Sequence, residues 1–259
     1  TLVLGPFLTW RRPMDAVQLT AFSPQEEDFA IAGMCRFAPY WFGCFPRLFA
    51  EHERFIYPER MQPHERSAWR RAVELFLRKV SFWSRKSPLL KSPYNTARVA
   101  ALREMFPRAK FIHIVRHPHA TYRSNVHLAE HGWAVFQLQD ADPQTSFASR
   151  ILENYRDQED AFYRDAAALP PHDVAEVRFE DLEGDAIGEV RKIYDALSLE
   201  FTPQFEARLR AYLESVAGYQ KNRFKKLPAD EQARVDAVMG DYARRWGYAD
   251  DGSAAGKAA

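Results

Sequence analysis

The sequence predicts an α/β fold in which a parallel sheet, flanked by helices on both faces, forms the middle of three layers. Two observations support this prediction. Short apolar runs alternate with longer stretches of helical spacing, and this alternation is typical of parallel sheets covered on both faces. Two of the short runs also end on a cation, at Lys91 and Arg116. Ligands of open α/β sheets bind beyond the carboxyl ends of the strands, so we expect both cations at that edge.

The first predicted elements surround Lys91. Residues 67–83 predict a helix because their apolar side chains recur at helical spacing: Trp69, Val73, Phe76, Leu77 and Val80. Residues 87–91 form a short apolar run that predicts a strand ending on Lys91. Residues 95–106 predict a second helix, with Asn95 or Thr96 as its N-cap.

The remaining elements alternate in the same way. Residues 110–115 are β-branched and predict a strand, and Pro118 suits the first position of a helix over 118–131. Further elements are a long amphipathic helix at 146–169, a strand at 173–179, and helices at about 184–197, 203–216 and 228–246. We expect one domain over residues 1–249, followed by a small, polar, disordered tail at 250–259.

Composition excludes several classes of protein. The net charge of +1 gives no basis for bulk attraction to nucleic acid or to an anionic membrane. No apolar run reaches the roughly 18–20 residues that a membrane span requires. The two cysteines, Cys35 and Cys44, fit no metal motif and favour reduced thiols in the cytoplasm. The first residues do not form a secretory signal. Because the chain starts on Thr1 rather than on Met, we expect its natural N-terminus to lie upstream.

The segment FIHIVRHPHATYRSN, residues 111–125, carries the main chemical signal. Arg116 follows a strand, and its guanidinium offers a fork of donors suited to a phosphate. The helix after Pro118 adds free N–H groups and a favourable dipole, and Ser124 adds a hydroxyl. The alternative interpretation is an arginine paired with a surface carboxylate and a serine on a solvated helix face.

Several separate blocks of the sequence resemble the sulfotransferases that use 3′-phosphoadenosine 5′-phosphosulfate (PAPS). The blocks cover nearly the whole chain, in family order: RRPMDAVQLTAFSPQEEDFA, FAPYWFGCFPR, KSPYNTARVAALREMFPRAKFIHIVRHPHATYRSNVHL, VRFEDLEGD, RKIYDALSL and GYQKNRFKKL. The resemblance implies a fold related to P-loop nucleotide-binding proteins. It also implies transfer of a sulfuryl group to a hydroxyl or amine acceptor, with no metal required.

The resemblance also implies roles for individual residues. Arg116 and Ser124 match the residues that hold the 3′-phosphate of PAPS. Tyr219, Lys221 and Arg223 match a basic loop that closes over the nucleotide. Lys91 matches an active-site lysine near the sulfuryl group, where an ammonium stabilises developing charge.

The general base is sought among the acids of SPQEEDFA, which begin a helix. Glu26 matches the most characteristic acid of the family block and ranks first, and Asp15 ranks second. Acids in a first helical turn are also favoured by the helix dipole alone, so a purely structural role stays open. Many relatives carry a histidine where this chain has Asn95, which cannot act as a base, and a tyrosine where it has Phe179.

The phosphate loop of the family, a Gly-rich stretch that binds the 5′-phosphosulfate, has no counterpart in these 259 residues. Losing its backbone hydrogen bonds would cost roughly 5 kcal/mol of donor binding. We therefore expect a chain that lacks the first strand and the loop of the fold, with uncertain activity on its own. The alternative is a non-catalytic, truncated or degenerate relative that binds nucleotide or a partner. A kinase is a weaker alternative because no GK[ST] motif is present.

The acceptor stays open among small molecules, carbohydrates, lipids, phenols and peptide tyrosines. An uncovered sheet edge left by a missing strand would also invite pairing between copies, so a homo-oligomer is a further expectation.

Overall fold

The computed structural model describes residues 9–12, 15, 17–20, 23–83, 86–222 and 224–248. The predicted tail at 250–259 lies outside these residues. The chain divides into two compact units, which are Thr1–Ala101 with Asn125–Phe162, and Leu102–Ser124 with Tyr163–Ala259.

The first unit contains a small hairpin and several helices. Strands β1 (Thr9–Arg11) and β2 (Gln18–Thr20) pair antiparallel. The helices that follow are α1 (Glu27–Met34), α2 (Trp41–Cys44), α3 (Phe49–Glu53) and α4 (Pro63–Ser81). Short 3₁₀ turns at Pro46–Leu48, Arg54–Ile56 and Pro58–Arg60 connect them.

Helix α4 confirms the helix that periodicity predicts over 67–83. It begins four residues earlier because the residues before the apolar repeat form a helix start. Pro63 occupies the first turn, and the side chains of Gln62 and Glu65 form a reciprocal capping box. Trp69 and Val73 of its apolar face are buried.

An aromatic cluster forms the core of the first unit. Its buried members are Tyr40, Phe42, Phe49, Ile56, Tyr57, Tyr94, Ala97 and Ala161, and Trp133 and Phe147 pack against them. The rings of Phe42 and Phe147 are stacked with their centroids 5.4 Å apart. A Cβ at Gly43 would lie 2.1 Å from Trp133, so only glycine permits this close approach of the α2 backbone to the indole.

The second unit contains the parallel sheet. Strands β3 (Phe111–Val115) and β4 (Val174–Arg178) pair in parallel, with Phe111 opposite Val174. The helices after β4 are α8 (Phe179–Gly184), α9 (Ala186–Ala196), α10 (Pro203–Val216) and α11 (Ala229–Arg245). Ala175 and Val177 of β4 pack against Ile193 and Leu197. The parallel pair and the helices around it confirm the α/β class.

Three further helices include residues of both units: α5 (Val99–Met105), α6 (Pro118–His127) and α7 (Phe147–Ala166). After α6, a π-helical turn (Leu128–Gly132) and a 3₁₀ turn (Trp133–Val135) continue the chain. The predicted helix at 118–131 therefore changes type near its end. None of the helices in the described ranges is long and apolar enough to cross a membrane.

The strand predicted at 87–91 and the N-cap predicted at Asn95 or Thr96 are both wrong. Residues 87–91 have no regular secondary structure and pair with no strand among the described residues. Pro88 has no N–H to donate to a ladder, and a five-residue segment with only two leucines is too short to identify a strand. The following helix begins as a 3₁₀ turn (Pro93–Arg98), and its N-cap is Ser92, which accepts from the Tyr94 N–H at 3.3 Å. The side chain of Asn95 does not cap this turn, because its amide donates to Glu27.

Candidate active site

Three consecutive acids at the start of α1 each have a different partner in the segment from Lys91 to Arg98. Glu26 lies at the N-cap position of α1, where its backbone is extended, and Glu27 and Asp28 open the helix. The partners differ in charge and burial, so the three carboxylates have different chemical properties.

Asp28 is committed to a buried ion pair. Both of its carboxylate oxygens lie 2.9 Å from Nη1 of Arg98, and the two side chains are at most 1% exposed. The Ser92 hydroxyl also donates to Asp28, at 2.5 Å. Arg98 uses its other nitrogens to donate to the carbonyls of Phe55 and Ile56. This network fixes the start of α1 against the segment that carries Lys91.

Glu26 and Lys91, the two candidate catalytic residues, form an ion pair in the structure. The second carboxylate oxygen of Glu26 accepts a hydrogen bond from the Tyr40 hydroxyl. Burial, together with the nearby Tyr94 and Glu26, raises the pKa of Tyr40 well above its usual range, so this hydroxyl stays protonated and donates. The Lys91 side chain is 78% exposed, which leaves its ammonium accessible to an anionic ligand.

Glu27 is only 4% exposed and accepts a hydrogen bond from the neutral amide of Asn95, at 2.5 Å. Burial raises the pKa of Glu27, although the hydrogen bonds from its own backbone and from Asn95 act in the opposite direction. Glu27 and Lys91 both line a cavity of about 240 Å³. The remaining walls come from Gln25, from the end of α4 and from residues 86–90.

Asp15, the second-ranked base, lies in the loop between β1 and β2. Its carboxylate pairs with Arg12 and accepts the backbone N–H of Val17, at 3.1 Å. These contacts hold the hairpin turn, and they account for an acid at this position without a catalytic role.

Arg116, the candidate phosphate ligand, lies directly after β3 and contacts an aromatic ring. Its guanidinium carbon is 4.8 Å from the centroid of Phe179, and the Lys221 ammonium is 5.8 Å from the same centroid. No carboxylate among the described residues pairs with Arg116, whereas Lys221 pairs with Glu183 at 2.5 Å. Two of the predicted donor-binding cations thus share one aromatic platform in the second unit.

The other predicted donor-binding residues are less defined by contacts. Ser124 is half-buried on α6, and no hydrogen bond joins its hydroxyl to Arg116 in the described part of the chain. Tyr219 is 49% exposed in the loop after α10. Arg223 lies outside the described residues.

The loop between β3 and α6 is held by an acid of α8. The backbone N–H of His117 donates to Glu180 at 3.2 Å, and the Tyr248 hydroxyl donates to the other carboxylate oxygen of Glu180. The backbone N–H of His119 donates to Nδ1 of His117 at 3.2 Å. Burial and the neighbouring His119 lower the pKa of His117, so its ring favours the neutral form. These contacts fix the backbone next to Arg116.

The contacts of Arg98 and Phe179 are not predicted from the sequence. Arg98 lies within the helix predicted at 95–106 and is not singled out by the sequence, whereas the structure pairs it with Asp28. From the sequence, Phe179 appears only as a position where relatives carry a tyrosine hydroxyl. In the structure, its ring contacts both Arg116 and Lys221. Its place directly after a strand, like that of Arg116, is the signal that could have identified it.

Comparison with known proteins gives consistent results. A family model described as "Sulfotransferase family" matches residues 11–203. The curated omega-hydroxy-beta-dihydromenaquinone-9 sulfotransferases Stf3 of Mycobacterium bovis and Mycobacterium tuberculosis are each 33% identical over 240 residues. The match covers 92% of this chain and 61% of each relative, so the chain spans less than two thirds of their length.

A solved structure shows the same fold. The crystal structure of sulfotransferase STF9 from Mycobacterium avium superposes with a TM-score of 0.61 at 17% identity, covering 86% of this chain and 56% of that one. On the strength of the family model and the curated relatives, this chain belongs to the sulfotransferase family.

Proposed function

We propose that this chain transfers a sulfuryl group from PAPS to a hydroxyl or amine acceptor. One observation carries the proposal: Arg116 and Lys221 both contact the ring of Phe179. Arg116 follows strand β3, and Phe179 follows strand β4. A guanidinium with no carboxylate partner in the described part of the chain is available to an anion. The ends of parallel strands are also where α/β proteins bind nucleotides.

In this proposal the second unit binds the nucleotide end of the donor. Arg116 donates to the 3′-phosphate, Ser124 adds a hydroxyl from α6, and Tyr219, Lys221 and Arg223 belong to the loop over the nucleotide. Each charge-assisted hydrogen bond contributes roughly 1.5–3 kcal/mol. Lys221 would exchange its exposed contact with Glu183 for the donor, at little cost because exposed ion pairs contribute at most about 1 kcal/mol.

Lys91 and Glu26 serve the reaction centre in the first unit. The ammonium of Lys91 stabilises the negative charge that develops on the transferred group and on the leaving phosphate. Glu26 holds Lys91 in place until the donor arrives. A carboxylate of this acidic helix start takes the acceptor proton, with Glu26 ranked first by sequence and Glu27 beside it.

The residues present fit the 3′-phosphate end of PAPS better than its 5′ end. Arg116 and Lys221 suit an anion, but the sequence has no Gly-rich loop for the phosphosulfate. In a second candidate function, the chain binds adenosine 3′,5′-bisphosphate or a related nucleotide through the same two cations without catalysis. The two functions share the Arg116 site and differ only in turnover.

The name of the curated relatives points to an apolar acceptor with a hydroxyl group, and we propose the same class for this chain. The free thiols of Cys35 and Cys44 fit a reducing compartment such as the cytoplasm. Self-association stays a further proposal, supported by the exposed side chains of Ile112 and Ile114 on β3.

The direct test is transfer of label from ³⁵S-PAPS to a panel of alcohols and phenols by the full 259-residue chain. The proposal predicts labelled acceptor that disappears in Lys91→Ala. If adenosine 3′,5′-bisphosphate binds but no acceptor is labelled, the non-catalytic function is the right one. A chain that neither transfers the label nor binds the nucleotide contradicts both.

A further inference from the structure

The three acids at the start of α1 differ in their hydrogen-bond and ion-pair partners. Glu26 is neutralised by the ammonium of Lys91 and accepts a second bond from Tyr40. Asp28 is fully buried against the guanidinium of Arg98. Both of these carboxylates are therefore already paired with a cation.

Glu27 is in a different situation. The hydrogen bond that the structure gives its Oε1 comes from the neutral amide of Asn95, and Glu27 lines a cavity of about 240 Å³. The apolar walls of this cavity include Phe76, Val80, Leu89 and Leu90, and Lys91 lines it as well. Polar residues line it too, at Gln25, Ser81, Lys86 and Ser87. The nearly buried Glu27 therefore lines a partly apolar cavity together with Lys91, the proposed catalytic cation.

We propose that this cavity binds the reactive end of an apolar alcohol and that Glu27 is the base that takes the proton of its hydroxyl. This inference rests on the proposed function and names the acceptor side of that same site. It replaces Glu26 by Glu27 in the role of base and leaves Glu26 as the residue that positions Lys91.

The acceptor hydroxyl displaces the phosphate leaving group at the sulfur of the donor. The acceptor oxygen attacks the sulfur of PAPS in line, and the new O–S bond forms as the bond from sulfur to the 5′-phosphate oxygen breaks. The O–H proton moves to the Glu27 carboxylate, while the electron pair of the broken bond leaves with adenosine 3′,5′-bisphosphate. Lys91 lies on the same cavity and stabilises the charge on the sulfuryl oxygens. Glu27 later releases its proton to solvent.

The surroundings of Glu27 suit this role. Burial raises the pKa of its carboxyl group, and a base whose pKa approaches the working pH is the more effective proton acceptor. Asn95 donates to one oxygen and so fixes the carboxylate without neutralising it. The amide thus orients the base, although asparagine itself transfers no proton.

The size of the cavity limits what it can hold. Sites for whole small molecules usually measure roughly 300–1,000 Å³, so about 240 Å³ suits the hydroxyl end and a short part of an alkyl or prenyl chain. Leu89 on the wall is 86% exposed, and Phe82 and Trp83, which follow α4, are 73% and 91% exposed. The rest of a longer chain can lie on this apolar surface, which favours apolar alcohols over carbohydrates.

The first experiment compares Glu27→Gln, Glu26→Gln and the exposed control Glu214→Gln in transfer from PAPS to 1-decanol. In the wild type, kcat falls as the pH drops through the pKa of the base. We expect Glu27→Gln to lower kcat by roughly 100- to 10,000-fold and to remove this acidic limb, whereas Glu26→Gln lowers kcat but keeps the limb. Loss of the limb in Glu26→Gln, with its retention in Glu27→Gln, would overturn the assignment.

Acidic phenols provide a sharper control. A substantial fraction of their hydroxyl is already ionised near neutral pH, so they depend much less on a base. The defect of Glu27→Gln should shrink at least tenfold between decanol and 4-nitrophenol, while the defect of Lys91→Ala should not. An equal defect of Glu27→Gln on both acceptors would mean that Glu27 acts only structurally.

The second experiment needs neither donor nor turnover. Binding of 1-decanol to the full chain is measured by calorimetry for the wild type, Leu89→Asp and the matched control Leu138→Asp, an exposed leucine outside the cavity. We expect about 5- to 30-fold weaker binding in Leu89→Asp alone. A wild type that does not bind decanol, or equal binding by all three chains, overturns the cavity assignment even if PAPS is bound normally.

The titration of Glu27 gives a third readout. In NMR spectra of a chain labelled with ¹³C-glutamate, the signal of Glu27 is identified as the one that Glu27→Gln lacks. The pKa obtained from this signal should lie above the ordinary value of 4.5, and it should rise further when decanol fills the cavity. An unchanged titration contradicts the inference. Failure of the proposed function would instead appear as a chain that binds decanol but not adenosine 3′,5′-bisphosphate.

Discussion

The guanidinium of Arg116 lies over the ring of Phe179, with its central carbon 4.8 Å from the ring centroid. This relationship joins the residue after β3 to the residue after β4, at the ends of two paired parallel strands. The electron-rich face of the ring holds the cation without neutralising it. A carboxylate in the same position would compete with a phosphate, whereas a phenylalanine leaves the charge available.

Replacing Phe179 by alanine should weaken binding of adenosine 3′,5′-bisphosphate by roughly 3- to 30-fold, the range expected for a cation–π contact. Phe179→Tyr keeps the ring and should bind within about twofold of the wild type. The matched control is Phe201→Ala, which removes the ring under Arg191, 4.2 Å away. Equal losses in Phe179→Ala and Phe201→Ala, measured by calorimetry, would argue against a specific platform.

The buried pair of Asp28 and Arg98 should dominate the stability of the first unit. Asp28→Asn or Arg98→Met leaves an uncompensated buried charge and should cost about 3–5 kcal/mol of unfolding free energy. The double variant Asp28→Asn with Arg98→Met should cost less than the sum of the single changes. Urea unfolding followed by circular dichroism measures all three.

A surface pair supplies the comparison for this stability prediction. Asp241 and Arg244 are exposed and three residues apart on α11, and Asp241→Asn should change stability by less than about 1 kcal/mol. If Asp28→Asn costs no more than Asp241→Asn, the buried network does not hold the start of α1.

The stability of helix α4 should depend on pH through Glu65. Hydrogen bonds from Arg54, together with the Gln62 backbone N–H, lower the pKa of Glu65 to about 2 from its ordinary value of 4.5. A lowered pKa in the folded state stabilises the protein above the unfolded value, and this contribution is lost as the pH falls from 4.5 towards 2. Glu65→Gln should therefore be less stable than the wild type at pH 7, with the difference vanishing near pH 2.

Thermal unfolding at several pH values checks this prediction. Glu59→Gln, on the 3₁₀ turn before α4, serves as a control that should not reproduce the pH-dependent difference. If the difference in thermal stability between Glu65→Gln and the wild type stays constant from pH 7 to pH 2, the capping contacts do not depend on the charge of Glu65.

Lys91 should affect turnover far more than stability or nucleotide binding. Its exposed ion pair with Glu26 contributes at most about 1 kcal/mol to folding. Removing a group that stabilises transition-state charge typically lowers kcat by roughly 100- to 1,000-fold. We expect this loss in Lys91→Ala, with normal affinity for adenosine 3′,5′-bisphosphate, and no change in Lys79→Ala, an exposed lysine at the end of α4. A parallel loss of affinity in Lys91→Ala would place the lysine in the nucleotide site.

Much of the secondary structure follows from local pattern. The helix predicted at 203–216 has the same bounds as α10, because Pro203 and the Thr202 cap mark its start. The strand predicted at 110–115 is β3 with one residue fewer, and its β-branched run is clear in the sequence. Such elements are determined by neighbours in sequence, which is why the residues alone suffice.

The predictions that are wrong concern residues whose structure depends on contacts between distant segments. Residues 87–91 contain the apolar residues of a strand, but whether a strand forms depends on a partner that the segment itself does not encode. Asn95 resembles an N-cap, but its amide donates to Glu27, 68 residues away. Likewise, the ranking of Glu26 above Glu27 as a base could not be judged before their partners were known.

The central claim is that Arg116 recognises the 3′-phosphate of the sulfate donor, and equilibrium binding of adenosine 3′,5′-bisphosphate against 5′-AMP tests it most directly. We predict that the wild type prefers the bisphosphate by about 10- to 150-fold, the value of one charge-assisted contact. The preference should disappear in Arg116→Ala while urea unfolding stays unchanged. Equal affinity of the wild type for both nucleotides, or an undiminished preference in Arg116→Ala, would contradict the claim.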